Sequence, residues 1–441
     1  MRLNDPKVIN AWCMFDWANS AYSLTITSAV FPVYYNAVTK TGIGNSEVNF
    51  FGIQLANTVL YSYGLALSFL IAAFLSPLLS GIADYTGQKK KFMQFFTYMG
   101  GIACIALFWF DGTSNIEFGI ISFVIAGVGY AGSLVFYNAY LPEIATADRF
   151  DIVSAKGYSL GYIGSVLLLI FNLLMITFPS LFFGDVSKEV GETLGAKWSF
   201  VSVGVWWIVF AQYTFSRLPS NVHNRMPGNE YITKGFKELR LVFHEFRQSN
   251  NMMTFLGSFF LYSMSVQTVM YLAAAFGEKT LNLASDKLIA TVLIIQLVGV
   301  GGAYLFAYLS KIKGNKYALM TMLGIWIGIS SYAYFMQSEY EFYVLAAIVG
   351  MVMGGIQSLS RATYSKLIPD NTLDHTSYFS FYDVVEKVAT CLGMFSFGLV
   401  ENLTDNMRLS IIPIVFFFVL GFLIMIRVKV ARDAVAADQK G

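Results

Sequence analysis

Leu79-Ser80-Gly81-Ile82-Ala83-Asp84-Tyr85-Thr86-Gly87-Gln88-Lys89-Lys90-Lys91 is a short, charged turn set between two long apolar runs. Gly81 and Gly87 let the chain reverse at little steric cost. Asp84 and the three lysines keep the turn in water, and a cationic cluster between apolar runs marks the cytoplasmic side of a membrane. The stretch therefore predicts a surface loop between two membrane-crossing helices, and the rest of the chain can be placed from it.

Working outward, the 441 residues are 56% hydrophobic, 17% aromatic and only 13% charged, outside the balance of soluble domains. The class is a polytopic, all-α membrane protein. A net charge of +2 gives no argument for a nucleic-acid partner. With a window of about 20 residues, the length that crosses a bilayer, twelve transmembrane helices are predicted at 11–36, 57–82, 92–110, 117–141, 157–178, 198–216, 252–275, 287–309, 317–336, 341–366, 378–400 and 409–426. The first run continues to about Tyr35 without a small-residue cleavage site and reads as a retained helix. With both termini cytoplasmic, 22 of the 29 Lys and Arg residues fall on the inside.

Residues 217–251 form the longest polar break, with Phe236, Leu239, Phe243 and Phe246 at three- and four-residue steps, as in an amphipathic helix on a membrane surface. The break divides a six-helix bundle at 1–216 from a second at 252–427, followed by a tail at 428–441. The halves are related at one gapless offset of 227: Gly87 and Lys89 match Gly314 and Lys316, Gly127 matches Gly354, Ser133 matches Ser360, Tyr137 matches Tyr364 and Pro142 matches Pro369. Two parallel six-helix repeats are the design of transporters that rock one half against the other. The second turn carries Lys311 where the first carries Asp84, so only the first copy is expected to act as a carboxylate latch.

Function is sought among polar residues inside the spans, since a charge at mid-membrane costs about 2.5 to 3.5 kcal/mol on insertion scales. Asp16, Asn19, Ser20, Ser23 and Thr27 form one stripe in span 1; Gln357, Ser360, Arg361 and Tyr364 form another in span 10; Asp383, Glu386, Lys387 and Thr390 form a third in span 11. Shorter stripes are Tyr130, Ser133 and Tyr137, then Tyr158, Tyr162 and Ser165, then Ser258, Tyr262 and Ser265. Ordinary interhelical hydrogen bonding is the competing reading for these hydroxyl stripes. Lys387, about nine residues or roughly 13 Å into its span, needs either Asp383 as a partner or an anionic substrate group. Arg361 meets headgroups, a gate carboxylate or a substrate; Asp16 binds an ammonium, carries a coupling proton or locks the gate.

Phe15-Asp16-Trp17-Ala18-Asn19-Ser20-Ala21-Tyr22 resembles the Tyr-Asp-Trp-Ala-Asn-Ser-Ala-Tyr opening of the family that includes the fungal vacuolar amino-acid effluxer of autophagy and its bacterial relatives. Asn138 to Glu143, Ser154 to Tyr162 and Gly355 to Tyr364 resemble the same family, and Ala83-Asp84-Tyr85-Thr86-Gly87-Gln88-Lys89-Lys90 resembles the signature turn of the major facilitator superfamily between its second and third helices. Glu386 departs from the small residue expected beside Lys387. The resemblance implies the twelve-helix major facilitator fold and amino-acid export or import; the compact loops suit a bacterial inner membrane.

The reading is thus a secondary transporter, not an enzyme, whose cavity is lined by spans 1, 4, 7 and 10 with spans 5 and 11 contributing. Binding or coupling is assigned to Asp16, Asn19, Ser23, Tyr137, Tyr262, Gln357, Glu386 and Lys387, and gating to Asp84, Gly87, Lys89, Arg361 and Asp383. The partners are a small zwitterion, surrounding lipid and coupling protons, the protein acting as a monomer. No metal or other cofactor is expected: His223, His244 and His375 fall in predicted linkers or loops, and no phosphate-binding loop is present. Two other readings stand: an exporter of amphipathic compounds, or a lipid scramblase or sensor moving no small solute.

Overall fold

The computed structural model describes residues 3–40, 47–220, 231–283, 285–369, 372–404 and 406–430. Among the described residues, twelve long helical segments besides the linker helix follow in order. α1 runs as Pro6–Ala21, a π-helical stretch Tyr22–Ala29 and Val30–Thr39; then come α2 (Asn57–Thr86), α3 (Lys89–Ala106), α4 (Ile116–Asn138), α5 (Phe150–Thr177), α6 (Lys188–Arg217), α7 (Asn250–Leu281), α8 (Ser285–Lys313), α9 (Asn315–Phe335), α10 (Glu339–Leu367), α11 (His375–Thr404) and α12 (Ile411–Met425). Among the described residues, nine of these, α2 to α10, are long and apolar enough to cross a membrane; α12 is apolar but shorter.

Helix ends differ from expectation where caps were not legible. Pro6 occupies the first turn and Asp5 accepts from Lys7 N at 2.9 Å, so α1 starts five residues before the predicted position. Asp16 thereby lies about 15 Å from the helix start rather than in its first turns. α11 begins at His375, not 378, because its first amides are capped from elsewhere in the chain: Asp84 Oδ1 and Oδ2 accept from Thr376 N and Ser377 N at 3.2 and 2.6 Å. Lys387 is then about 18 Å into its helix. A hairpin, β1 (Glu47–Phe50) paired with β2 (Ile53–Ala56), turns at Phe51 and Gly52, both at positive φ, and was not anticipated.

The buried apolar residues form two large clusters, one from Val8 to Leu218 joined by Ala362, the other mostly from Val242 to Val428. The repeat is visible in close helix crossings. A Cβ at Gly127 would lie 2.6 Å from Ser68 Oγ on α2, and one at Gly354 would lie 2.2 Å from Gly299 O on α8, so matched glycines serve matched contacts. Gly87 and Gly314 both take positive φ, +68° and +87°, ending α2 and α8.

The linker helix Tyr231–Gln248 packs along α2 and the start of α11 rather than standing free. Val242 and Phe246 are buried and Phe246 meets Phe381 at 5.4 Å, while Phe243 stays partly exposed with its ring 5.7 Å from Phe381. Residues 221–230 of the linker, with His223, the Phe236 side chain and residues 431–441 of the tail lie outside the described part.

Candidate functional site

Four carboxylates of the first six helices meet groups of the last six at the end of the molecule marked by the Asp84 turn. Asp84 is buried and caps α11, placing its charge at a helix N-terminus. Gly87 forms the left-handed C-cap that lets the chain leave α2 beside it. Lys89 lies over the Tyr140 ring at 4.7 Å and pairs with Glu143, which also meets His375 Nδ1 at 3.2 Å. His375, expected in a loop, is instead the first residue of α11; His244 lies in the linker helix, within 2.9 Å of Gln248 Nε2.

The second turn holds no acid of its own, as its sequence says, yet it too meets a carboxylate. Asp151, at the start of α5, accepts from Ser310 Oγ and Asn315 Nδ2, each at 2.8 Å, and from Lys366 Nζ at 2.9 Å. The carboxylate has moved from the turn to the helix facing it, so a search for acids within the turn misses it. An acidic residue three positions before Ser154 was the available signal.

Further from the surface, Arg361 is almost wholly buried, which rules out the headgroup reading. Its guanidinium donates to Asp16 Oδ2 at 3.2 Å, Ser154 Oγ at 2.9 Å, Ser154 O at 3.1 Å and Asn138 Oδ1 at 3.2 Å, and it lies over the rings of Trp12 and Tyr158 at 4.7 and 4.3 Å. Tyr137 donates to the same Asp16 oxygen at 2.7 Å. A Cβ at Gly157 would come within 2.5 Å of that oxygen, so α5 reaches the pair only with glycine there.

Beyond this lock is a small cavity of about 10 Å³ lined by Tyr158, Tyr262, Gln267, Gln357, Ser360, Tyr382 and Glu386 among others. Its described walls come from α5, α7, α10 and α11; the Asp16 and Tyr137 expected there from α1 and α4 sit in the Arg361 lock instead. Glu386 accepts from Gln267 Nε2 at 3.0 Å and pairs with Lys387 at 3.0 Å. Lys387 also lies 3.5 Å from Asp383, whose other oxygen accepts from Ser76 Oγ at 3.3 Å, and its ammonium stands 5.8 Å from the Phe69 ring centre. The charged lysine is thus behind the wall, between two carboxylates, and Glu386 is on it. Gln357 Oε1 accepts from Tyr162 at 2.7 Å, and Tyr262 shares a 2.7 Å hydrogen bond with Ser360.

The hydroxyl stripes divide by residue type. Ser133, Ser165, Ser258 and Ser265 all donate to backbone carbonyls, whereas Tyr137, Tyr162 and Tyr262 reach side chains at the centre. In α1, Ser23 donates to Ser20 O at 3.1 Å, and Asn19 is buried with its Nδ2 lacking a hydrogen-bond partner.

Comparison with known proteins adds the following. The family described as "Vacuole effluxer Atg22 like" matches residues 4–438. The uncharacterized MFS-type transporter YxiO of Bacillus subtilis is 30% identical over 427 residues, covering 95% of this chain and 94% of its own length. Autophagy-related protein 22 of Yarrowia lipolytica is 22% identical over 82% of this chain and 74% of its own. Among solved structures, the major facilitator transporter FucP in its outward conformation aligns with a TM-score of 0.68 at 11% identity, over 97% of this chain and 99% of that one. The proton:xylose symporter XylE aligns with a TM-score of 0.70 at 13% identity, over 98% and 97%. The two structural likenesses establish the major facilitator fold.

Proposed function

Because the chain belongs to the vacuole effluxer Atg22-like family of major facilitator transporters, we propose that it carries amino acids or similar small zwitterions across the membrane by alternating access. The observation that carries this reading is the charged pair at the central cavity: Glu386 on the wall and Lys387 3.0 Å behind it. Such a pair is itself a zwitterion, and an α-amino acid offers the same two charges in the opposite order. Its ammonium would displace Lys387 from Glu386, and its carboxylate would meet the released lysine. Gln267, Gln357, Ser360 and Tyr262 supply the neutral donors and acceptors that orient a small polar solute.

The bridges at Asp84, Asp151, Glu143 and Asp16 form the gate that is closed in this conformer, and opening it requires all four to part. We assign that end to the cytoplasm, with both termini inside a bacterial plasma membrane, from the excess of Lys and Arg in the corresponding loops. Proton coupling is assigned to Asp16, whose release from Arg361 would let it accept a proton as the gate opens.

The deciding experiment is counterflow of a labelled amino-acid panel into proteoliposomes at two pH values, with Lys387→Ala as control. Saturable exchange that is lost in the variant is the expected result. Absence of exchange with every amino acid overturns the substrate class, and a pH response identical in wild type and Asp16→Asn overturns the proton assignment. A second reading, export of amphipathic compounds, is favoured by the aromatic walls Tyr158, Phe259, Tyr262 and Tyr382; broad efflux unaffected by Lys387→Ala would select it.

A further inference from the structure

A second and larger cavity, of about 100 Å³, lies within the second bundle, away from both the charged centre and the Asp84 end. Its walls come from the distal part of α7 (Thr268 to Phe276), the first turns of α8, the end of α9, the beginning of α10, Phe397 of α11 and the start of α12. All of these segments lie toward the end opposite the Asp84 turn. No charged side chain is among the described lining.

Four polar side chains interrupt the apolar wall, and two of them, Thr268 and Thr291, already donate their hydroxyl protons to Met264 O and Lys287 O. Trp326 and Ser330 both line the cavity, both are at least nine-tenths buried, and neither Trp326 Nε1 nor Ser330 Oγ has a hydrogen-bond partner. They stand four residues apart on α9, so they share one helix face. An indole N–H can only donate, and a hydroxyl beside it can donate as well. A carbonyl oxygen, with two lone pairs, satisfies both at once. A buried water typically makes about three hydrogen bonds and brings two O–H donors that themselves need acceptors, whereas a ketone oxygen matches the two unpartnered donors, Trp326 and Ser330, and brings none.

At the corresponding end of the first bundle, aromatic side chains of α1, α2, α4 and α6 pack against one another. There Phe31 stacks on Phe123 at 4.8 Å and meets Phe200 at 5.6 Å, Tyr61 stacks on Phe123 at 5.1 Å, and Tyr34 donates to Phe110 O.

We propose that this cavity is a binding site for a compact apolar molecule carrying one hydrogen-bond acceptor, of the aryl or alicyclic ketone type, which enters from the lipid phase and is held by Trp326 and Ser330. The site is separate from the transported solute's cavity and does not depend on what that solute is. A molecule that fills a space present in this conformer favours this conformer in proportion to its differential affinity, so occupancy holds the Asp84 end closed.

The test uses the full-length purified protein in nanodiscs and two matched probes, 4-bromoacetophenone and 1-bromo-4-ethylbenzene, read by bromine quenching of tryptophan emission. The ketone is expected to give a saturable component that disappears in Trp326→Phe, where the reporter is removed. Filling the space by Ser330→Leu, or from the opposite wall by Val349→Phe, should abolish saturable binding. Ser330→Ala should weaken the ketone about fivefold, as loss of one hydrogen bond does, and leave the hydrocarbon probe unchanged. Linear quenching that is the same in wild type and both filled variants would mean partition into the bilayer alone and would overturn the proposal. Equal affinity for the two probes would equally overturn the assignment of Trp326 and Ser330 as the recognising groups.

Discussion

The two halves do not face each other with like chemistry. At the Asp84 end, the described bridges take their carboxylates from the first half: Asp16, Asp84, Glu143 and Asp151. The second half supplies what receives them: Arg361, Lys366, His375 and the amides of Thr376 and Ser377. Deeper in, the pattern changes. Asp383, Glu386 and Lys387 all belong to α11, and the first half meets them with the neutral Ser76 and the ring of Phe69. A gate between two rigid bodies needs contacts that form and break across the interface, so opposite charges on opposite bodies serve it. The proposed solute site needs charges that persist when the halves part, and a charged group gathered on one helix serves that.

This comparison can be broken by experiment, beginning with the deepest bridge. Arg361→Ala leaves Asp16 buried without its cation, which costs about 3 to 5 kcal/mol for a buried pair. The expected outcome is loss of transport and alkylation of the buried Cys13 by N-ethylmaleimide in a Cys104→Ser, Cys391→Ser background. Protection of Cys13 unchanged from wild type would show that the lock does not hold the gate. Asp151→Asn keeps the shape and removes the charge that Lys366 meets, for an expected loss of about 1.5 to 3 kcal/mol. Spin labels on the ends of α5 and α9 should then report a broadened distance distribution; an unbroadened one would leave the first turn as the sole latch. Asp84→Asn is expected to be milder, about 0.3 to 2 kcal/mol, because a carboxylate on a helix N-terminus is exchanged for a neutral acceptor. If labels on α2 and α11 separate more in Asp84→Asn than those of α5 and α9 do in Asp151→Asn, the ranking of the two latches is reversed. Tyr378→Phe, which loses the 3.1 Å contact with Glu245 of the linker helix, should be the smallest, at the low end of about 0.5 to 1.5 kcal/mol. Protease sensitivity of the linker reads it, and no increase in cleavage would mean that Phe243 and Phe246 on Phe381 suffice.

What was legible in the sequence followed the range of each interaction. Apolar length, the Asp84 turn and the Phe15–Tyr22 stretch are properties of single segments, and they pointed to the twelve helices, the superfamily and the family, while the 227-residue offset related the two halves. Arg361 and Asp16 could be suspected because a lone charge in an apolar run demands a partner, although 345 residues separate them. Asp151 was missed despite its nearness to Ser154, since its three donors lie 159, 164 and 215 residues away on α8, α9 and α10. The start of α11 was missed for the same reason: its cap is Asp84. The order of Glu386 and Lys387 around the cavity depends on the rotation of α11, which a neighbouring pair of residues does not disclose.

The π-helical stretch Tyr22–Ala29 gives α1 a mechanical character. Its hydrogen bonds run to the fifth residue back, a spacing followed also by Ser28 Oγ on Ser23 O at 3.0 Å. At each junction with the α-helical parts the bonding frame slips by one residue. The segment holding Asp16 and the segment from Val30 to Thr39 are thus two stiff rods joined by a looser coupling. The faces that the two rods present are accordingly set independently: the position of Asp16 on the first does not fix which residues of Val30–Thr39 turn inward on the second.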